Sequence, residues 1–529
     1  MKLKDLIKIQ KLNGLEKEPK FTVTIGVFDG IHLGHSAIIS ELRSNALVNN
    51  YSSAVVTFDE NYPKTFKNLS SFLLTYEEKK EFLSLKGVDF LVVLPFISEI
   101  KNLNPEEFIS SLKETIPFSC ICVGENFRFG RGREGDASQL IRLGEEFNFE
   151  VKVIPSESFE ESFISSSKIR ELISSGEIVK ANKFLGYKYF LRGIVKKGSN
   201  IGSKLGFPTI NVEVNNMKLI PKEGIYKGKV KVKDDIYDAA IYIGTRPTFN
   251  GRALRIEAYI LDFSEIVYRE KVELVFEEYI RESKKFDTEK ELRDQIERDT
   301  KVINDKIKEE KLRKRIITID GTAGSGKSTI AKLLAQRFGL YYIDSGALYR
   351  SVGWIANRFN LWEEEDLIKV LEKKPINFLW DGENFKVFFE RTDISSEIRS
   401  LDAGINASRV GVMSRLREIL TLWQRESLNY VENGIVLEGR DSGTIVFPQA
   451  DMKLFISADI HIRAERRAKD LGESNIEKVI KSLKERDIKD INRSSDPLRI
   501  PKEAYFIDTT SITVEEAYSQ ILSIWLKCL

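Results

Sequence analysis

Residues 315–328 read RIITIDGTAGSGKS. The β-branched run Arg315–Asp320 predicts a strand, the stretch from Gly321 to Ser328 a glycine-rich turn, and the residues from Thr329 a helix. In that order the turn is a phosphate-binding loop. Backbone N–H groups of Gly321, Thr322, Ala323, Gly324, Ser325 and Gly326 cradle phosphate oxygens. Lys327 reaches the β- and γ-phosphates of ATP, and Ser328, followed by Thr329 at the helix start, holds Mg2+. A parallel α/β sheet is expected around this loop.

Much more chain surrounds it. At about 150 residues per domain, 529 residues make three or four domains. A hydrophobic share of 42% with 31% charged residues fits folded domains. Lys plus Arg number 82 and Asp plus Glu 80, for a formal charge of +2. That balance offers no general attraction for a polyanion, so no nucleic-acid partner is expected. The cysteines are Cys120, Cys122 and Cys528, too few for a disulfide scaffold and suited to a reducing compartment. Cys120 and Cys122 read as two residues of an apolar strand. No apolar run approaches the roughly 18 residues of a membrane span. The opening MKLKDLIKIQ places Lys and Asp where a signal peptide needs an apolar run. The expectation is a cytoplasmic protein with no membrane association and no evident obligate protein partner.

Short β-rich runs at Thr22–Val27, Ser53–Phe58, Phe90–Leu94, Ile121–Gly124 and Val151–Ile154 alternate with helical stretches such as Pro105–Glu114, which predicts a parallel sheet. From about Tyr189 the pattern changes. Runs at Tyr226–Val232, Asp238–Ile243, Arg255–Leu261 and Lys271–Phe276 lie close together between turns and predict a small antiparallel β-barrel. A charged helix, Thr288–Glu310, follows, and Lys301–Arg315 reads as a solvated helix end and linker. The expected division is 1–185, 186–305, a charged linker at 306–314, and 315–529. The expected fold is multidomain: an α/β Rossmann-like domain, a small antiparallel barrel and an α/β P-loop domain.

Two of three histidines fall in GVFDGIHLGH, at His32 and His35, between a predicted strand and a helix expected to start near His35. Gly26, Gly30 and Gly34 permit a tight turn and close approach by a ligand. N–H groups at the helix start attract phosphate, and two imidazoles three residues apart can both donate to it, which suits displacement at the α-phosphate of ATP. Ile164-Ser165-Ser166-Ser167-Lys168-Ile169-Arg170 adds three hydroxyls and two cations at a second helix start, a clamp for the β- and γ-phosphates. The pair resembles the nucleotidylyltransferase superfamily. With Gly124-Glu125-Asn126-Phe127-Arg128-Phe129-Gly130, Leu74-Thr75 and Glu78-Lys79, it looks like the FAD synthetase module of the bacterial bifunctional riboflavin kinase/FAD synthetase. The resemblance implies His32, His35 and Lys168 in catalysis, Gly26, Gly34, Ser165, Ser166, Ser167 and Arg170 on ATP, and Asn126 and Arg128 on the flavin. One departure stands out: Thr57-Phe58 is followed by Asp59-Glu60-Asn61-Tyr62-Pro63, where that family usually has Pro-His-Pro.

Gly198, Gly202 and Gly206, spaced by four, lead into Phe207-Pro208-Thr209-Ile210-Asn211. A hydroxyl and an amide on a turn fixed by Pro208 can help hold a magnesium–phosphate group, with Gly202 and Gly206 beside the nucleotide. The segment resembles riboflavin kinase, with further matches at Gly224-Ile225-Tyr226, at Gly244-Thr245-Arg246-Pro247-Thr248-Phe249, and at Arg281 with Phe286. The resemblance implies Glu257 as general base on the ribityl 5′-hydroxyl, Arg281 on the flavin, and Thr209 and Asn211 on Mg2+. Ile201 and Ser203 stand where the family often has arginines.

Beyond the phosphate-binding loop come Asp344-Ser345-Gly346-Ala347-Leu348-Tyr349-Arg350 and Glu438-Gly439-Arg440-Asp441-Ser442-Gly443-Thr444, the latter after a predicted strand at Gly434–Leu437. With Ile398-Arg399, Ala407-Ser408 and Leu416-Arg417 they resemble bacterial-type cytidylate kinase, a P-loop nucleoside monophosphate kinase. The resemblance implies that Arg350, Arg417 and Arg440 bind the CMP phosphate through forked donors. Ser345, Ser408 and Asp441 then read cytosine and sugar, and Arg486 and Arg493 act as lid arginines on the transferring phosphoryl. Glu438 stands where that family usually has Asp, and His461 reads as a helix surface residue.

The expected whole is a trifunctional ATP- and Mg2+-dependent transferase acting on riboflavin, FMN and CMP or dCMP. Open alternatives are that a domain binds nucleotide without catalysis, or that the first adenylylates another phosphate. A cut near residue 312 is expected to leave both sets of activities intact.

Overall fold

The run Tyr51–Phe58 is buried at every position but its ends, as a strand covered on both faces must be. In the computed structural model it is the third strand of a six-stranded sheet. The structure describes residues 7–13, 18–59, 71–156, 158–159, 162–198, 201–233, 235–248, 251–374, 376–493 and 496–528. The Asn61 stretch lies outside them, as do the side chains of Ile201, Ser203 and Arg246. The described chain divides into two units: 1–311 with 521–529, and 312–520.

In the first unit the sheet strands are β1 (Lys8–Lys11), β2 (Glu18–Ile25), β3 (Tyr51–Phe58), β4 (Phe90–Leu94), β5 (Phe118–Gly124) and β6 (Glu150–Ile154), in the order β1-β4-β3-β2-β5-β6. All pairs are parallel except the edge strand β1, which runs against β4 and was not legible in the sequence. Helix α1 (Leu33–Asn49) follows β2, with α2 (Tyr76–Leu85) and α3 (Pro105–Thr115) further on, the last two opened by capping boxes at Thr75 and Asn104. Helix α4 (Ser166–Ser175) is capped by Ser165, and α5 (Ile178–Leu185) leads into the barrel. Cys120 and Cys122 are buried on β5, as an apolar strand requires.

The barrel is closed by β7 (Phe190–Lys196), β8 (Thr209–Val214), β9 (Gly224–Val232), β10 (Asp235–Thr248), β11 (Gly251–Ile260) and β12 (Lys271–Arg281), in the order β7-β8-β11-β10-β9-β12. Thr209 and Asn211 are therefore on a strand rather than on the turn expected after Pro208. Sheet and barrel share one apolar cluster that runs from Leu42 and Phe82 through Tyr187 and Phe190 to Val230 and Leu274. Helix α6 (Glu289–Lys311) closes this part of the chain.

Residues 306–311, expected as linker, are the last part of α6. They are held there by ion pairs from Lys306 to Glu278 at 2.8 Å and from Glu310 to Lys227 at 2.7 Å. By compactness, residues from Ile521 onward group with the first unit.

In the second unit β13 (Arg315–Gly321) is central. It is followed by α7 (Lys327–Phe338), β14 (Tyr341–Asp344) and α8 (Ser345–Phe359). A small antiparallel sheet, β15 (Ile376–Trp380), β16 (Phe385–Phe389) and β17 (Thr392–Asp393), is inserted next, another element not read from the sequence. Then come α9 (Leu401–Val410), α10 (Ser414–Glu426), β18 (Gly434–Glu438), β19 (Met452–Ser457), α11 (Ile460–Leu471), α12 (Ile476–Asn492), β20 (Tyr505–Asp508) and α13 (Val514–Cys528), whose residues from Ile521 belong to the first unit. The five-stranded parallel sheet has the order β14-β18-β13-β19-β20. His461 is exposed on α11.

Candidate active sites

The strand β2 delivers residues 26–32 to the carboxyl edge of the first sheet, where parallel α/β sheets place their ligands. A cleft of about 560 Å3 opens there, lined by Gly26, His32, Gly34, His35, Ser165 and Arg170 among others. His32 is the N-cap of α1, and its Nδ1 accepts the His35 N–H at 3.4 Å. In a neutral ring that leaves the proton on Nε2, free to donate. Burial, and then the Arg170 cation, push His32 down to about 4, so the ring is neutral at pH 7. The two imidazoles stack with centroids 3.7 Å apart, and Phe28 backs His35 at 5.0 Å.

Asp29, which the sequence reading passed over, ties this site together. One carboxylate oxygen accepts the N–H groups of Leu73 at 3.0 Å and Leu74 at 3.2 Å; the other takes the Arg170 guanidinium. The Ser166 hydroxyl donates to the Asp29 carbonyl at 2.8 Å. Left-handed backbone at Phe28 and Ile31 marks how tightly the turn is held. Ser167 and Lys168 do not line the cleft: Ser167 is exposed and Lys168 pairs with Glu171 at 2.9 Å. Asn126 and Arg128 do line it; Asn126 donates to Ser156 at 2.8 Å and Arg128 pairs with Asp136 at 3.0 Å. Arg131 and Arg133 stand with them, in a Gly-Arg-Gly-Arg run whose charge was the overlooked signal.

In the barrel, Asn211 on β8 lies opposite Glu257 on β11, and the Thr209 hydroxyl is 3.5 Å from the Glu257 carboxylate. Arg255 pairs with the other carboxylate oxygen at 2.8 Å. Gly202 packs so closely that a Cβ would stand 2.4 Å from the Phe207 carbonyl and 3.1 Å from the Thr209 hydroxyl. A side chain there would fill the space beside Thr209. Gly206 adopts φ +89° with open space beyond it. Arg281 is forked onto Asp299 of α6 at 2.8 and 2.6 Å, with Gln295 completing the cluster at 2.8 Å; a flavin would have to share that guanidinium.

In the second unit, Gly321 has φ +145° and its hydrogen faces the Ile456 carbonyl so closely that a Cβ would lie 1.9 Å away. This is how the loop turns off β13. Lys327 folds back onto the Thr322 carbonyl at 2.7 Å. Burial first, then Arg440 and Arg486, push it down to about 7 against the pull of Glu438 and Asp487. Ser328 donates to Glu438 Oε1 at 2.8 Å, and the Tyr342 hydroxyl donates to the same oxygen at 2.7 Å. Glu438 Oε2 is buried without a hydrogen-bond partner. Burial and the Asp344 charge raise the Glu438 carboxyl.

Around this loop the arginines gather. Arg440 donates to the Gly321 carbonyl at 2.7 Å, and Arg350 pairs with Asp344 at 2.8 Å. Arg417 is buried against Asp441 and bonds Asp496 at 2.7 Å, while Arg493 reaches Asp441 at 3.0 Å. Arg486 is pushed down to about 10 by burial and by Arg440, Arg350 and Arg467. So many cations in one enclosed place call for a polyanion. Ser345 is buried there at the start of α8. Ser408 is exposed on α9 with its hydroxyl on the Gly404 carbonyl at 3.1 Å, so the structure does not bring it to the other residues. Arg463 and Asp487, absent from the sequence reading, pair at 2.6 Å, and Arg463 donates to the Ala323 carbonyl at 3.2 Å.

Comparison with known proteins follows the same three-part order. The chain matches the FAD synthetase family over residues 15–168, the riboflavin kinase family over 185–307 and the cytidylate kinase family over 317–526. A bifunctional riboflavin kinase/FMN adenylyltransferase of Listeria monocytogenes is 33% identical over 281 residues, 52% of this chain and 89% of that protein. Cytidylate kinases of Desulforamulus reducens and Thermosipho melanesiensis are each 40% identical, over 40% and 39% of this chain and 97% and 95% of their own lengths. A crystal structure described as a macrolide-efflux protein from Streptococcus pneumoniae superposes with TM-score 0.52 at 28% identity, over 56% of this chain and 97% of its own. The chain belongs to the bifunctional riboflavin kinase/FMN adenylyltransferase family over residues 15–307 and to the cytidylate kinase family over 317–526.

Proposed function

We propose that this one chain carries three ATP-dependent transferase activities. The barrel phosphorylates riboflavin to FMN. The N-terminal domain joins FMN to the adenylyl group of ATP, giving FAD and pyrophosphate. The P-loop unit converts CMP or dCMP to the diphosphate. The observation that supports this reading most is that the candidate residues gather in three constellations, each inside the stretch of chain whose family it fits.

At the barrel, Glu257 takes the proton of the 5′-hydroxyl as its oxygen bonds the γ-phosphorus and ADP leaves. At the first site, an FMN phosphate oxygen attacks the α-phosphorus. Neutral His32, together with His35, the N-terminus of α1 and Arg170, holds the phosphate charge as pyrophosphate departs. At the third, a CMP phosphate oxygen attacks the γ-phosphorus as ADP leaves. Lys327 with Arg486 and Arg493 stabilises the transferring group, and Arg350, Arg417 and Arg440 hold the acceptor phosphate.

Mg2+ is part of the proposal. The partnerless Glu438 Oε2 beside the Ser328 hydroxyl fits an ion or its water, and Thr209 and Asn211 beside Glu257 fit a second. When bound, the ion neutralises charge between adjacent phosphates. The domain limits 1–185, 186–305 and 315–529 and a cytoplasmic location belong to the same reading. Small molecules are its substrates; no helix among the described residues is long and apolar enough to cross a membrane.

Chromatography of products tests it: purified chain with Mg2+–ATP and riboflavin should yield FMN then FAD, and with CMP should yield CDP. FMN without FAD would remove the first assignment, and no CDP the third.

A further inference from the structure

Residues 1–311 do not close the first unit; the chain leaves it at Lys311 and returns at Ile521. We infer that residues 521–528 are a docking segment that completes the core of the flavin unit, seated on a surface made by Phe82 of α2, Lys188, Phe190 of β7 and Glu273 of β12.

Lys527 has a side chain only 1% exposed and pairs with Glu273, itself buried, at 3.0 Å. Its ammonium lies over the rings of Phe190 at 5.1 Å and Phe82 at 5.9 Å. A lysine is not buried that deeply unless its partner is fixed. The Lys527 carbonyl accepts the Lys188 N–H at 2.7 Å, and the Ser523 hydroxyl accepts from Lys231 at 2.7 Å. Leu526 belongs to the same apolar cluster as Phe82, Phe190 and Leu274.

The receiving surface has the complementary chemistry. Burial pushes the Glu273 carboxyl up, but Lys527 and Arg192 outweigh it and hold the group below its ordinary range. Arg192 is shared with Glu81, at 2.9 Å, so Glu273 has no second full counter-charge of its own without Lys527. Removing the segment would leave a buried carboxylate half-neutralised, take the Lys527 carbonyl away from the Lys188 amide and uncover aromatic rings. Residues 1–311 thus lack part of their own core, and the expectation that a cut near residue 312 leaves both sets of activities intact is replaced by the opposite one.

Two variants of the full chain test this, with riboflavin phosphorylation as reporter and amide hydrogen exchange as a readout independent of function. In Lys527→Met, the midpoint of thermal inactivation of riboflavin phosphorylation should fall by about 5 °C. Exchange at the Lys188 amide should speed up at least tenfold. Changing Glu273→Gln as well should return about half of the lost midpoint, because the stranded charge is gone. A chain ended after Gln520 should lose protection across 186–192 and 271–277. The inference is overturned if Lys527→Met keeps the wild-type midpoint and exchange, or if the shortened chain keeps its protection at Lys188.

Discussion

The charge on Lys327 should set how the CMP-phosphorylating site responds to alkali. Burial and the neighbouring Arg440 and Arg486 bring its pKa from 10.5 to about 7. A displacement of that size disfavours the ammonium of the free site by on the order of 5 kcal/mol. The sign follows: as pH rises through 7 the free site loses the cation that receives the β- and γ-phosphates. From pH 7 to pH 9 the charged fraction falls about 50-fold, and kcat/KM for ATP should fall with it, since that ratio reports the free enzyme. The nucleotide's own phosphates restore the proton once bound, so kcat should stay nearly level and the loss should appear in KM. The assay is ADP formation at saturating CMP across pH 7–9. A kcat/KM for ATP that is flat over that range, or a fall confined to kcat, would falsify the placement of Lys327.

Four further outcomes are expected. His32→Ala should stop FAD formation while riboflavin phosphorylation continues. In the unaltered chain the acid limb of kcat/KM for FAD formation should lie near the depressed pKa of His32, about 4, rather than at 6.5. As pH falls from 6.5 towards 4 the unfolded chain takes up a proton that native His32 refuses, so this group withdraws roughly 3 kcal/mol of stability over that window; a limb at 6.5 would contradict its burial. Glu257→Gln should lower kcat for riboflavin phosphorylation by about 10²–10⁴ and spare FMN adenylylation; a loss below tenfold would deny Glu257 the role of base. Gly202→Ala places a methyl 2.4 Å from the Phe207 carbonyl, so KM for ATP in riboflavin phosphorylation should rise with CMP phosphorylation unchanged, and equal KM values would mean the nucleotide lies elsewhere.

What the sequence made legible was local. GTAGSGKS, GVFDGIHLGH and the Glu257 strand each carry a turn, a helix start or a strand whose geometry follows from neighbours in the chain, and each is found where it was read. What escaped was set by distant partners. Asp29 reads as one more turn residue until Leu73, Leu74 and Arg170 are seen converging on it from 44 to 141 positions away. Lys168 sits in a promising motif, yet Glu171, one helical turn on, holds its ammonium outside the cleft. The strand β8 was hidden because Pro208 and the glycines before it give a turn signal that stops only at Thr209. Residues 306–311 look like linker by charge alone; only the lysines and glutamates of the barrel show why they stay helical. The role of Lys527 is invisible in a helix end that reads ILSIWLKC, because its partner Glu273 lies in another domain of the sequence.

The claim of three separate transfer sites is tested most directly by following label. Riboflavin and CMP are given together to the chain with Mg2+ and ATP labelled either at the α- or at the γ-phosphorus. The account predicts that α-label reaches FAD and neither FMN nor CDP, whereas γ-label reaches FMN, CDP and, through FMN, FAD. Absence of α-label from FAD, or of γ-label from FMN or CDP, would contradict it.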